Sequence, residues 1–330
     1  MDIVPVLFLT GLVVGYFVLA GCDIGLGMLM PYLARTPAER RRLVSAAAPY
    51  FLGTEVWLVG AVGVVAGLFP ELKSALFGGL WPVFTVLLAA WLLRDAGLWF
   101  RARVDGGAWR RGCDALIVGG SWGLALSWGA VLAGLLAGGA APTPFTVACA
   151  FAVAALFLLR GAAFGAERLV PVAAGEAASA DDAGRLTRVL SRLALGAAAV
   201  AAVAAVLPGG AAMDRPLALA AAALVPAAAL AATAGLSGPR LSRHTSAVAI
   251  GSAPLLVAAA QVLPLDGPPA GTLALAGIAI VPMVPVMAVG QVGLYRMLRR
   301  PAADTGFFAS PPAPVLPPRR RAVPDPAIRG

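Results

Sequence analysis

Asp23 and Glu55 are the only charged side chains in two long apolar stretches, Val4 to Ala34 and Leu43 to Pro70. A third stretch holds the adjacent pair Arg94 and Asp95. A bare carboxylate is costly in hydrocarbon, so such residues face a bundle interior, pair with a cation, or move protons or ions. Desolvation favours the neutral acid, whereas a nearby guanidinium favours the carboxylate. The four residues therefore suit one of two chemistries, a proton relay or buried ion pairs with Arg94 as the cation. Residue type alone leaves both open.

The elements that carry these groups are membrane spans. The chain is 60% hydrophobic and only 12% charged, against about 25% charged in soluble proteins. Runs of about 20 apolar residues suffice to cross a bilayer. Nine occur, at roughly 4–30, 46–69, 75–99, 115–138, 144–166, 193–209, 216–236, 245–263 and 271–296. The first run follows no basic segment and ends in no small-residue cleavage pattern, so it reads as a retained helix. The expectation is an all-α polytopic membrane protein of about nine transmembrane helices, arranged as two four-helix bundles plus one peripheral helix. Residues 1–138 form the first bundle, 139–263 a second, Ala-rich one, 264–300 the last helix, and 301–330 a disordered Pro- and Arg-rich cytoplasmic tail. The loop from Glu167 to Arg192, rich in Ala, Asp and Ser, reads as mobile.

The net charge of +9 follows topology. With the N-terminus outside, alternate loops and the tail place 21 arginines inward and leave only Lys73 and Arg215 outward. That asymmetry sets an N-out, C-in orientation. It assigns the basic excess to the inner membrane surface and its anionic headgroups rather than to nucleic acid. Arg94 and Arg160 belong to no loop. Each lies seven or eight residues from an inward arginine, roughly 10–12 Å into the membrane, where snorkelling is the simplest expectation.

Helical rise also fixes the depth of the acids. Asp23 precedes Arg35 by twelve residues and Glu55 follows Arg42 by thirteen, roughly 18–20 Å from the inner loop in both cases. Antiparallel neighbours would bring the two carboxylates level, with Arg94 and Asp95 a turn or two closer to the cytoplasm. Pro31, Pro49 and Pro82 are the positions that could bend this ladder.

Redox-metal chemistry has few candidates. The only histidine is His244, in a loop, and the three cysteines, Cys22, Cys113 and Cys149, make no CxxC spacing. Two intramembrane histidines cannot hold a haem here, and Met28, Met30, Met283 and Met287 read as packing residues. No catalytic residue and no metal ligand are assigned. Gly21 with Gly25, Gly63 with Gly67, and Gly119 with Gly123 have the small-xxx-small spacing of close helix contacts.

Three segments resemble one family. GCDIGLGMLMPYLARTPAERRRL (Gly21 to Leu43), APYFLGTEVWL (Ala48 to Leu58) and LRDAGLWFRARVDGGAWRRGCDALIVGGS (Leu93 to Ser121) are similar to subunit II of cytochrome bd-type quinol oxidases. The family-pattern positions include Gly21, Gly25, Gly27, Met28, Gly53, Trp57, Arg101, Trp109 and Asp114. The resemblance is specific over about residues 10–125. It implies a multi-pass subunit of a bacterial cell membrane, paired one-to-one with a haem-bearing oxidase subunit I. Together they oxidise quinol on the outer side and reduce dioxygen to water with cytoplasmic protons. The chain alone would bind no haem. It would contribute stability, room for a structural quinone, and in some members a cytoplasmic proton path.

The departures bear on that path. The family's first Asp of the Asp–Gly–Phe–Asp pattern is Ala20, its mid-membrane Asp is Leu52, and an acid expected after Arg94 is Trp99. Asp95 is an added acid, and Arg160 replaces a histidine usual in the fifth helix. Either Asp23 and Glu55 take over proton transfer or the subunit is structural. Two other classes stay open at this stage: a proton- or ion-coupled secondary transporter, and a non-catalytic membrane scaffold.

Overall fold

The structure, a computed structural model, describes residues 3–104, 106–170, 178–235, 239–267, 269–280 and 282–297. The expected tail, 301–330, lies outside them. Eleven helices follow one another: α1 (Ile3–Leu33), α2 (Pro37–Leu68), α3 (Pro70–Lys73), α4 (Trp81–Phe100), α5 (Gly107–Ala137), α6 (Pro144–Arg168), α7 (Ala178–Ala205), α8 (Pro216–Gly235), α9 (Pro239–Ala260), α10 (Ala270–Ile280) and α11 (Met283–Met297). A π-helical segment, Ser74–Gly78, links α3 to α4. No strand occurs among the described residues.

Seven of these, α1, α2 and α4 to α8, are long and apolar enough to cross a membrane. The eighth expected run falls in α9, whose polar first turns hold Ser242, Arg243, His244, Thr245 and Ser246. The ninth is divided between α10 and α11, with Pro282 at the break. The loop expected from Glu167 to Arg192 is helical from Ala178 onward. Its buried residues, Ala180, Ala183, Thr187, Leu190, Ser191 and Ala194, recur at helical spacing and turn the arginines outward. That period, hidden by an Ala-rich composition, decides against a mobile loop over those residues.

Helix α1 is central. It packs on α2, α5, α6 and α9, and every residue from Ala20 to Met30 is buried. A helix apolar on all sides belongs in such a position. Its approach to α6 is backbone against backbone: a β-carbon on Gly25 would overlap the Phe157 carbonyl, and one on Gly161 would overlap Gly25 itself. Small residues permit this contact, and dispersion along it holds helices together where lipid removes the hydrophobic drive. Gly63, Gly67 and Gly119 face nothing within 4 Å, so their spacing makes no close contact here.

Local signals set the ends of α2. Thr36 and Glu39 form a reciprocal capping box, and Pro37 occupies the first turn, where its missing N–H is harmless. Pro31 and Pro49 lie inside continuous helices, whereas Pro82 sits in the first turn of α4. None of the three breaks the ladder of acids.

Candidate functional site

Arg94, on α4, reaches across to α1 and places Nη2 2.5 Å from Asp23 Oδ2. Both side chains are buried, at 6% and 1% exposure. The same guanidinium lies 3.9 Å, through Nε, from Asp95 Oδ1. Asp23, Asp95, Tyr16 and Glu55 are its titratable neighbours. Three carboxylates from three helices therefore converge on one cation. Glu55 is among the charged neighbours of Asp95, and Trp91 Nε1 donates to Glu55 Oε1 at 3.4 Å. Trp91 and Asp95 are four residues apart on α4, so both face Glu55 from one side.

This arrangement brings together all four acidic and basic candidates. Arg94 does not snorkel. Its partner is close enough that burial is the better solution, because removing either charge would strand the other. Asp23 Oδ1 and Asp95 Oδ1 remain without hydrogen-bond partners. A small cavity of about 10 Å³ is lined by Tyr16, Thr54, Glu55, Trp91 and Arg94, close to the space one water needs.

Two turns back along α1 from Asp23, Tyr16 Oη accepts from Trp128 Nε1 at 3.0 Å. Phe17 packs edge-on to Trp128 and beside Phe157. Beyond this layer lies an apolar cavity of about 500 Å³, bordered by Val13, Phe17, Leu58, Phe84, Trp91 and Trp128. Its walls come from α1, α2, α4, α5 and α9 with adjoining segments.

Near the start of α5, Asp114 takes Arg101 Nε at 2.5 Å and Arg40 Nη1 at 2.8 Å. Arg40 Nε also donates to the Ala34 carbonyl at 3.2 Å. One carboxylate thus ties the last residues of α1 and α4 to the first turns of α2 and α5. The sequence marked Asp114 and Arg101 only as pattern positions and missed their partner Arg40. It also missed the Tyr16–Trp128 pair. The available signal was spacing: Asp114, Ser121 and Trp128 are seven apart, as are Tyr16 and Asp23, which puts each set along one helix face. Ser121 Oγ, wholly buried and without a partner, lies against Gly27, one turn from Asp23.

Arg160 also stays inside. Its Nε donates to the Val18 carbonyl at 3.1 Å, and Nη1 donates to the Arg243 carbonyl at 2.7 Å and Ser246 Oγ at 3.3 Å. The guanidinium therefore clips α6 to α1 and α9 through backbone oxygens. Gly21 leaves room for its stem, since a β-carbon there would lie 2.7 Å from Arg160 Cγ.

The other pattern positions serve packing and joints. Met28 is buried and Gly53 is half-buried. Trp57 Nε1 donates to Gln291 Oε1 at 3.2 Å, joining α2 to α11. Trp109 is exposed and donates to the Phe100 carbonyl at 2.8 Å. Among the described residues no group of three or more His, Cys, Asp or Glu is placed to hold a metal ion.

Comparison with known proteins agrees with the resemblance. The sequence model of the family "Cytochrome bd terminal oxidase subunit II" matches residues 1–298. The "Cytochrome bd-I ubiquinol oxidase subunit 2" of Escherichia coli K12 is 33% identical over 136 residues, 41% of this chain and 35% of that protein. The "Probable cytochrome oxidase subunit 2" of Haemophilus influenzae is 32% identical over 127 residues, 38% of this chain and 34% of that protein. The Bacillus subtilis "Cytochrome bd ubiquinol oxidase subunit 2" is 33% identical over 110 residues, 33% of this chain and 32% of that protein. The matched segments thus span about a third of each relative's length. With its seven membrane-length helices and a family match over residues 1–298, the chain is a multi-pass bacterial membrane protein that belongs to the cytochrome bd terminal oxidase subunit II family.

Proposed function

We propose that this chain is the haem-free subunit II of a bd-type terminal oxidase. It pairs with a haem-bearing subunit I and supports quinol oxidation and the reduction of dioxygen to water. The observation that carries the reading is the family match over residues 1–298. The convergence of Asp23, Glu55, Asp95 and Arg94 at one depth supports a part in cytoplasmic proton supply. In this reading the chain crosses the membrane nine times, N-out and C-in. Its two bundles, 1–138 and 139–263, are followed by a last helix within 264–300.

The residues have distinct roles in the proposal. Asp23 and Arg94 hold α1 against α4 at mid-depth. Glu55 and Asp95 are the acids free to exchange protons. Asp114, gripped by Arg40 and Arg101, fixes the inner ends of the same helices. The apolar cavity of about 500 Å³ fits the hydrocarbon tail of a structural quinone, with Trp91 and Trp128 at its inner border. Haems stay with subunit I, and this chain supplies packing and charge.

A second reading, a non-catalytic membrane scaffold, draws on Ala20, Leu52 and Trp99 where the family carries acids. Deleting the chain separates the two. In the oxidase reading the haem-bearing partner disappears from membranes, and quinol-dependent oxygen uptake falls with it. In the scaffold reading both survive.

A further inference from the structure

Glu55 and Asp95 are not fully enclosed by this chain. Glu55 is half-buried, and the Asp95 side chain keeps 21% of its surface exposed. Both stand on helices of membrane length, so that surface meets lipid unless another chain covers it. Hydrocarbon satisfies neither form of an acid: a carboxylate lacks a counter-charge there, and a neutral carboxyl lacks a hydrogen-bond partner. Arg94 gives incomplete cover, since it stands 2.5 Å from Asp23 and 3.9 Å from Asp95.

The packing explains the opening. Helix α2 packs mainly on α1, and α4 mainly on α5, with little contact between α2 and α4. The small polar cavity between them takes Thr54 and Glu55 from α2, Trp91 and Arg94 from α4, and Tyr16 and Ala20 from α1 beneath. Around the acids both helices present apolar side chains to the outside. Val56 and Val59 stand beside Glu55, Leu88 and Leu92 beside Asp95, and each is about half exposed or more. Val59 and Leu92 each lie one helical turn from their acid. An apolar rim around a polar centre suits a second membrane helix, because polar contacts join helices where lipid removes the hydrophobic drive. Lipid chains would cover the rim and leave the acids unmatched.

We propose that the α2–α4 crevice is a docking face for a transmembrane helix of the haem-bearing subunit, which sets an arginine or lysine against Glu55 and Asp95. Charge complementarity selects this occupant: Asp23, Glu55 and Asp95 are three acids gathered around the guanidinium of Arg94. A second cation leaves one carboxyl over, and that carboxyl is the one available to carry a proton. The inference deepens the pairing with subunit I proposed above and rests on it. The charged site is then a joint one, closed only in the complex.

The test is photo-crosslinking in membranes that contain the whole complex, with benzoylphenylalanine placed at Val59, at Leu92 and, as a control, at exposed Val203 on α7. The expected result is capture of the haem-bearing subunit from Val59 and Leu92 and not from Val203. The captured peptide, identified by mass spectrometry, should carry an arginine or lysine within an apolar run of membrane length. Glu55→Gln combined with Asp95→Asn should reduce the amount of that subunit recovered with this chain, and either single substitution serves where the double variant fails to accumulate. Capture of lipid alone, or of a second copy of this chain, from both positions overturns the docking face. A captured run without a basic residue, or full recovery after the neutral substitutions, overturns the ion pair. A preparation in which no haem-bearing subunit accompanies the unmodified chain overturns the oxidase reading itself, whereas a haem complex captured only from Val203 overturns the face alone.

Discussion

Asp23 Oδ2 and Arg94 Nη2 stand 2.5 Å apart with both side chains buried, so a buried ion pair joins the central helix α1 to α4. Removing one partner strands a charge in a medium that cannot solvate it, at about 3–5 kcal/mol. Arg94→Leu and Asp23→Leu should each lower the thermal stability of the purified protein. The double substitution should be less destabilising than the sum of the two. A double-mutant cycle in detergent measures this coupling, and additive losses would show that the two groups do not interact.

Gly25 and Gly161 predict a packing effect with its own internal control. Gly25→Ala drives a β-carbon into the Phe157 carbonyl, and overpacking of this kind costs about 1–3 kcal/mol. Gly63→Ala has the same chemistry with nothing within 4 Å, so it should be neutral. Expression level and melting temperature of the two variants check the contrast. Equal losses would contradict the backbone contact between α1 and α6.

Asp114 receives two arginines, so its loss should exceed the loss of either one. Asp114→Ala leaves Arg101, only 9% exposed at its side chain, without its carboxylate. Arg40→Ala removes a group that is 32% exposed and that water can replace. Limited proteolysis of the loop between α4 and α5 should accelerate strongly in the first variant and weakly in the second.

Seven of the membrane-length helices and the family were legible in the sequence because each rests on composition or spacing along one segment. What was not legible depends on meetings between segments. Arg160 was expected to snorkel, and Arg94 either to snorkel or to pair with one of the acids. Asp23 holds Arg94, while carbonyls of Val18 and Arg243, 142 and 83 positions away in sequence, hold Arg160. Asp114 was visible as a motif position, but Arg40, 74 positions away, was not. The start of α7 was hidden because alanine gives little contrast between its two faces.

Trp128→Phe should keep the aromatic stack on Phe17 while removing the donor to Tyr16 Oη. One buried hydrogen bond contributes about 1 kcal/mol, so a modest fall in stability is expected. Tyr16→Phe should show a loss of similar size, and the double variant should lose little more than either single one. A second full loss on combining them would mean that the bond contributes nothing.

Purification through a tag on this chain tests the central claim most directly. The expected result is a complex with a haem-bearing membrane subunit, a reduced-minus-oxidised haem spectrum, and oxygen uptake when quinol is added. A chain that purifies from membranes without a haem-bearing partner, or a haem complex that takes up no oxygen with quinol, would contradict it.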